Sequence, residues 1–464
     1  MIAAGTSASA ARAHGSSSSP EGTVTGRVPR NGLSRSARLA SLPLGFAGRA
    51  VAGWGRALSG ADRDDVAAVT AARNAEQLFA VLGSLKGGAM KLGQALSVYD
   101  AMVPAELLGP YHEALAKLQT AGPPMPVRDA HRMLTEQLGR GWASRFREFD
   151  DDPVAAASLG QVHRGVWRDG RAVAVKIQYP GADVALDADL RQLRRFSWLL
   201  GAVLPGLDAR ALVAELHERM MEEVDYRIEA DHQRAFAAGF ADAPGLRVPA
   251  VVASAPKVLV SEWLDGVPLR SELDTPADAD EQRARDRYAH TVVETMFASP
   301  ARIGLLHADP HPGNFLVLDD GRLGMVDFGA VASLPGGIPP VLVQILNLTA
   351  RGEGAALTEL LVAEGFLAAD AEEADVLRWI GALADPLRHE VFHFDRTWMA
   401  RQGARVANPG NRAFARTGRA LNLPPDHVLV VRVLTGWMNI LAQLDCTVAA
   451  RAVAAANIPG FATG

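Results

Sequence analysis

Residues 307–329 constrain this chain more than any other stretch. His307-Ala308-Asp309-Pro310-His311-Pro312-Gly313-Asn314 runs into the apolar segment Phe315-Leu316-Val317-Leu318, and a second apolar segment, Leu323-Gly324-Met325-Val326, runs into Asp327-Phe328-Gly329. Each apolar segment reads as a short strand. A carboxylate, an amide and a second carboxylate therefore follow one another in fixed order, each beside regular structure. That set suits phosphoryl transfer, which needs an acceptor held near the phosphorus and metal ions held against phosphate oxygens. Asp309 is the candidate base or acceptor-positioning group, and Asn314 and Asp327 offer the hard oxygens that Mg²⁺ prefers. D-x-x-x-x-N and D-F-G are weak signals singly; in this order they reinforce each other.

The order is that of a protein-kinase catalytic loop followed by a metal-binding loop. Such a site requires, upstream, a loop over the phosphates, a strand with a lysine and a helix with an acid. Ala172-Val173-Ala174-Val175-Lys176-Ile177 is a β-type run containing Lys176. A strand lysine taken alone is more often an exposed edge residue; with the downstream pair in place, Lys176 reads as the phosphate-holding lysine. Just before it, Ala155, Ala156, Ala157, Ser158, Leu159, Gly160, Gln161 and Val162 stand where a kinase usually carries G-x-G-x-x-G. Alanine's Cβ opposes the conformations that let glycine amides approach phosphate, so this loop is expected to be stiff and partly helical.

From Leu212 to Phe240, apolar residues recur at Leu212, Leu216, Met220, Val224 and Ile228, which predicts one amphipathic helix. Glu222, Glu223, Asp225 and Glu229 lie on its other faces, and periodicity does not say which acid meets Lys176. Val258-Leu259-Val260 then predicts a strand running into Glu262-Trp263-Leu264-Asp265-Gly266, a connection between two lobes whose backbone suits an adenine edge.

These residues resemble the AarF/UbiB atypical kinase-like family, from about Phe79 to Pro335. The resemblance rests on Ala155 to His163, on Val173 to Gly181, on His307 to Phe315, on Lys91-Leu92-Gly93-Gln94 as K-x-G-Q, and on Glu223-Val224-Asp225 as E-x-D. It implies an α+β, two-lobed protein-kinase-like fold, with a small β-rich N-lobe, a helical C-lobe and an N-terminal helical extension. It also implies that Glu229 pairs with Lys176. Glu223 and Asp225 would meet Lys91 and Gln94 on a helix lying across the active site, where those residues would be regulatory. ATP and Mg²⁺ are the implied cofactors, and support of isoprenoid-quinone or lipid metabolism is the implied role. The implied activity is ATP hydrolysis or phosphate transfer to a non-protein acceptor. The rival readings are an ATP-binding scaffold that recruits quinone-biosynthesis proteins and, third, a protein kinase. After Gly329 the chain has no A-P-E and no long activation loop, which disfavours the third.

With 464 residues, two to three folded units are expected at roughly 100–200 residues per domain. The divisions read as a basic tail over 1–60, a helical extension over 61–145 carrying K-x-G-Q, an N-lobe over 146–268 and a C-lobe over 269–464. The tail holds seven arginines, Arg12, Arg27, Arg30, Arg35, Arg38, Arg49 and Arg56, against the single acid Glu21. That composition reads first as a flexible basic arm, secondarily as a transit peptide, and it suits an anionic membrane surface. A net charge of −5 argues against nucleic acid as partner. The one cysteine, Cys446, leaves no intramolecular disulfide. No segment reads as a transmembrane helix, since Val428 to Leu444 is interrupted by Arg432 and Asn439. The expected location is the cytoplasm, with peripheral contact to the inner face of a membrane. Past Ile338 the pattern is helical, and His389-Glu390-Val391-Phe392-His393 matches H-E-x-x-H. On a helix the two histidines would share a face, with Asp395 or His427 as third zinc ligand; without supporting context they read as surface or packing histidines.

Overall fold

The computed structural model describes residues 124–157, 159–195, 214, 217–218, 220–273, 278–367, 373–407 and 424–462. Lys91 and Gln94, the helix expected to carry them, Ser158 and the basic tail lie outside the described residues.

Helix α1 (Val127–Leu138) precedes strands β1 (Phe146–Phe149), β2 (Ala155–Ala157), β3 (Gly160–Trp167) and β4 (Ala172–Gln178). Helix α2 (Ala182–Arg195) and helix α3 (Tyr226–Gly239) follow, then β5 (Leu246–Arg247), β6 (Val251–Ala255), β7 (Val258–Glu262) and β8 (Gly266–Pro268). The small lobe is one antiparallel sheet in the order β1-β3-β4-β7-β6, with β2 also on β3. Period-2 alternation divides its faces. Val173, Val175 and Ile177 of β4, with Val258 and Val260 of β7, bury against Met133 and Leu134 of α1. Lys176 and Leu259 point the other way, and Leu259 packs on Tyr226 and Ala230 of α3. The sheet is thus covered on both faces, and α3 stands on the face that carries the lysine.

The large lobe begins with α4 (Ala279–Ile303), capped by Asp278, whose carboxylate accepts from the amides of Asp280 and Glu281. It ends at Gly304 in the left-handed region, φ 67°, where glycine carries no Cβ penalty. Strand β9 (Leu305–His307) leads into the loop that carries Asp309 and Asn314, and the two expected strands, β10 (Phe315–Leu318) and β11 (Leu323–Met325), pair as an antiparallel hairpin. β5 and β8 flank that hairpin, so the connection from the small lobe is stitched to the large lobe's sheet. β12 (Val331–Ser333) pairs back on β9. Then come α5 (Pro340–Arg351), α6 (Gly354–Ala363), α7 (Glu373–Arg388), β13 (Phe392–Phe394), α8 (Arg396–Ala407), α9 (Pro425–Leu444), β14 (Cys446–Val448) and α10 (Ala450–Asn457). Phe297, Phe315, Phe328, Trp398 and Trp437 lie within the core that joins these helices to the hairpin.

Three local expectations are corrected. The alanine loop is not partly helical: Ala155, Ala156 and Ala157 pair with Val162, Gln161 and Gly160 as a β-hairpin. Ladder pairing there overrides a weak helix propensity. The helix expected from Leu212 to Phe240 is not continuous. Leu212 and Leu216 lie outside the described residues; residues 223–224 form a turn, and Asp225 caps a new helix by accepting from the Arg227 amide. The H-E-x-x-H segment is not a helix. The chain leaves α7 after Arg388, bends through residues 389–391 and enters β13. His389 contacts its own helix at the Asp385 carbonyl, and His393 meets Thr447 and Asp445. Asp395 instead accepts from the Trp398 amide at the start of α8.

Candidate active site

Lys176 enters the cleft from the middle of β4. Its Nζ donates to Glu229 Oε1 at 2.7 Å and Oε2 at 2.9 Å, and lies 3.6 Å from Asp327 Oδ2. The side chain of Glu229 is 3% exposed and that of Asp327 39%. The lysine is therefore held from the buried side and offered to the open side. The break at 223–225 explains the choice of acid: restarting the helix at Asp225 points Glu229 at the sheet and leaves Asp225 outside, bound to the Arg227 guanidinium at 2.6 Å. That bond holds the Asp225 carboxyl below its ordinary range. Burial would pull the Lys176 ammonium down, but Asp327, Glu229 and Tyr226 outweigh it and hold the group above the usual lysine range. The Tyr226 ring lies 5.1 Å below Nζ, within cation–π distance.

On the opposite wall, Asn314 Nδ2 donates to the Asp309 carbonyl at 3.0 Å and to Asp309 Oδ2 at 2.9 Å. With its NH₂ so engaged, the Asn314 side chain has its oxygen left to offer. The Asn314 carbonyl accepts from the Val326 amide, which fixes one loop against the other. Asp327 Oδ1 accepts from the Gly329 amide at 2.9 Å, and His307 Nε2 is 2.6 Å from the Asp327 carbonyl. Sequence reading did not assign His307 a role; its place two residues before Asp309 was the only signal. Phe328 is buried among His307 and Phe236. The structure thus brings Lys176, Glu229, Asp309, Asn314 and Asp327 to one cleft.

The remaining expected residues divide. Ala155, Ala156 and Ala157 form the hairpin's outer arm beside Val162, which pairs with Lys176. Leu159 is buried, and its carbonyl accepts from the Tyr179 amide. Gly160 answers to packing: a Cβ there would stand 2.2 Å from the Ile177 carbonyl oxygen. Gln161 turns its side chain into the small lobe and away from Lys176. Glu262 also turns its carboxylate aside, onto Arg247 at 2.7 and 2.9 Å. The Glu262 and Trp263 amides bond the Ala250 and Ala172 carbonyls. Leu264 reaches over Gly324 of β11, where an added Cβ would come within 2.9 Å of its Cδ1. Glu223 lies in the turn before α3 and Asp225 caps that helix, and their expected partners Lys91 and Gln94 are outside the described residues.

A small antiparallel sheet over a helical lobe, with a strand lysine clamped by a helix glutamate and facing D-x-x-x-x-N and D-F-G loops, defines a kinase-like protein. The ABC1 atypical kinase-like domain matches residues 117–360. The chain belongs to this family, the AarF/UbiB atypical kinases. It is 34% identical over 314 residues to the uncharacterized protein slr1919 of Synechocystis, covering 66% of this chain and 54% of that one. It is 31% identical over 302 residues to the mitochondrial atypical kinase coq-8 of Caenorhabditis elegans, covering 63% and 39%. The chain thus spans about half or less of the length of these curated relatives. A solved structure from Mycobacterium tuberculosis, described as the complex of Rv3197 with erythromycin, is 43% identical with a TM-score of 0.65, covering 86% of this chain and 99% of that one. No helix among the described residues is long and apolar enough to cross a membrane.

Proposed function

We propose that this chain binds MgATP between its lobes and either hydrolyses it or passes the terminal phosphoryl group to a lipid or small-molecule acceptor. The observation that carries this reading is the Lys176–Glu229 pair with Asp327 3.6 Å away. One ammonium is set between a buried acid and a half-open one. Lys176 would bind phosphate oxygens, and Glu229 would keep it in place. The donor set fits Mg²⁺: the part-exposed Asp327 carboxylate and the Asn314 side-chain oxygen are hard ligands, few in number, as this ion prefers when phosphate supplies the rest. Mg²⁺ would neutralise charge on the phosphates. Asp309, steadied by Asn314, would orient the acceptor hydroxyl or water and take its proton. The domain divisions given above, and Lys91 and Gln94 as regulatory elements, belong to the same proposal.

Quinone or lipid metabolism is the proposed setting, supported by relatives named for coq-8, with peripheral contact to a membrane surface. A scaffold that binds nucleotide without turning it over is the second reading. It is favoured by the alanine arm, where three Cβ groups replace the freedom of a glycine loop. The erythromycin complex of the mycobacterial relative makes a macrolide a further ligand to titrate. The deciding experiment is phosphate release from ATP with Mg²⁺ and added lipid, parent against Asp327→Asn. Release lost in the variant supports the enzyme; saturable ATP binding without release in the parent supports the scaffold.

A further inference from the structure

We propose that Gln161 and His163 are positioning residues: a buried hydrogen-bond chain through them ties the alanine hairpin to the segment entering α1 and so sets nucleotide affinity. The inference rests on the nucleotide reading above. Both side chains lie on the face of β3 turned away from Lys176, and they are 1% and 0% exposed.

The chain has three links. The Met125 amide donates to Gln161 Oε1 at 2.8 Å. Gln161 Nε2 lies 2.8 Å from His163 Nε2. His163 Nδ1 lies 2.8 Å from the Asp150 carbonyl. A carbonyl only accepts, so Nδ1 carries the proton. Nε2 is then the acceptor for the Gln161 NH₂, and the Gln161 oxygen is left for the Met125 amide. Only this arrangement satisfies every group, and it needs a neutral imidazole. It joins the loop after β1, the first half of strand β3 and the entry to α1. Ala156 pairs with Gln161 itself, so fixing Gln161 fixes the arm over the cleft. Buried polar chains that are fully paired select one arrangement of the segments they join.

A second proton breaks the chain at a defined place. With N–H at both ring positions, His163 faces the Gln161 NH₂ donor to donor. Turning the amide relieves that clash but aims its NH₂ at the Met125 amide. The ring stacks on Phe149 at 5.1 Å. Asp150 and Asp151 face it from the loop after β1, and His131 from α1, where it bonds Asp151 at 2.6 Å. Burial holds the imidazole below its usual range, against the opposing pull of the Asp150 carbonyl and Asp151.

The test uses the full chain, with Gln161→Glu and Gln161→Leu. A carboxylate at 161 offers two acceptors between the Met125 amide and His163, so it favours the imidazolium. In Gln161→Glu the His163 ring titration, followed by NMR of labelled histidine, moves up by about one pH unit or more, the usual effect of a bonded opposite charge. Calorimetric titration with Mg²⁺ and a non-hydrolysable ATP analogue reads the consequence. The parent loses roughly tenfold in affinity as pH falls through the His163 transition, and Gln161→Glu does not. Gln161→Leu binds about tenfold more weakly throughout, and its Met125 amide exchanges faster with solvent. An unshifted His163 titration in Gln161→Glu overturns the hydrogen-bond chain. Parent-like nucleotide affinity in Gln161→Leu overturns the positioning role alone. Absence of nucleotide binding by the parent overturns the proposed function and the positioning role together.

Discussion

Replacing Glu229 by leucine should destabilise this protein by more than replacing Glu229 and Lys176 together. At an effective dielectric constant of about 20, unit charges at the observed 2.7–2.9 Å attract by roughly 6 kcal/mol. Asp327, at 3.6 Å, contributes roughly 5 kcal/mol on the same scale and stays behind. Glu229→Leu therefore leaves the largely buried ammonium with Asp327 on its open side as the remaining acid, and breaking a buried pair in this way costs about 3–5 kcal/mol. In Lys176→Met with Glu229→Leu no buried charge is stranded. Asp327 is open enough to be solvated, and well-packed apolar replacement of a buried pair is often neutral, or stabilising by roughly 1–4 kcal/mol. Urea unfolding followed by tryptophan fluorescence on parent, singles and double closes the cycle. The reasoning is refuted if the double costs the sum of the singles, or if Glu229→Leu costs under about 1 kcal/mol. The pH behaviour has a sign. Lys176 is raised in the folded state, so its stabilising share is complete below the unfolded value near 10.4 and declines only as pH climbs through the folded value. The penalty should be flat from about pH 7 to 9 and shrink only in stronger alkali.

Asp309→Asn should lower phosphate release by about 10²–10⁴ while leaving ATP affinity near the parent's, measured by turnover and calorimetry on one preparation. Gly160→Ala should destabilise by about 1–3 kcal/mol, because its Cβ would meet the Ile177 backbone and no side chain can give way; urea midpoints decide. The Cys446 thiol is buried, donates to the Leu441 carbonyl at 3.2 Å and is pushed up by that burial and by Asp286 and Asp445. It should react with Ellman's reagent only as the protein unfolds, so prompt native labelling would contradict its placement.

The legible parts of this site were those whose partners are close in sequence. Asp309, Asn314 and Asp327 are joined by one hairpin, and both strands of it could be read directly. Lys176 and Glu229 are joined across two elements, and apolar spacing left the acid open because it ran through a break. An aspartate before Tyr226-Arg227 is itself a helix-start signal, and reading Asp225 as a cap would have divided the helix where the structure does. Alternation along β3 carried a similar clue. Residues 161, 163, 165 and 167 share a face opposite Val162, so Gln161 could have been turned away from Lys176. The alanine loop was misjudged because composition was weighed without its pairing partner. The large lobe was legible as helices, but the contact of Trp437 with His307 and Phe315, at centroid distances of 6.1 and 5.6 Å, brings α9 under the catalytic loop across more than a hundred residues.

The β9–β12 ladder has a consequence for control. In many phosphotransferases the stretch after the metal-binding loop is a long tether that is slack until a modification pulls it taut. Here Val331, Ala332 and Ser333 lie zipped against His307, Leu306 and Leu305, and α5 starts at Pro340. Residues 330–339 leave no slack to gather. The loops at 309–314 and 327–329 are therefore held as one block by the ladder and by the Val326–Asn314 backbone bond. Under the proposed function, a signal that governs this site would act at its door, by deciding what reaches the cleft.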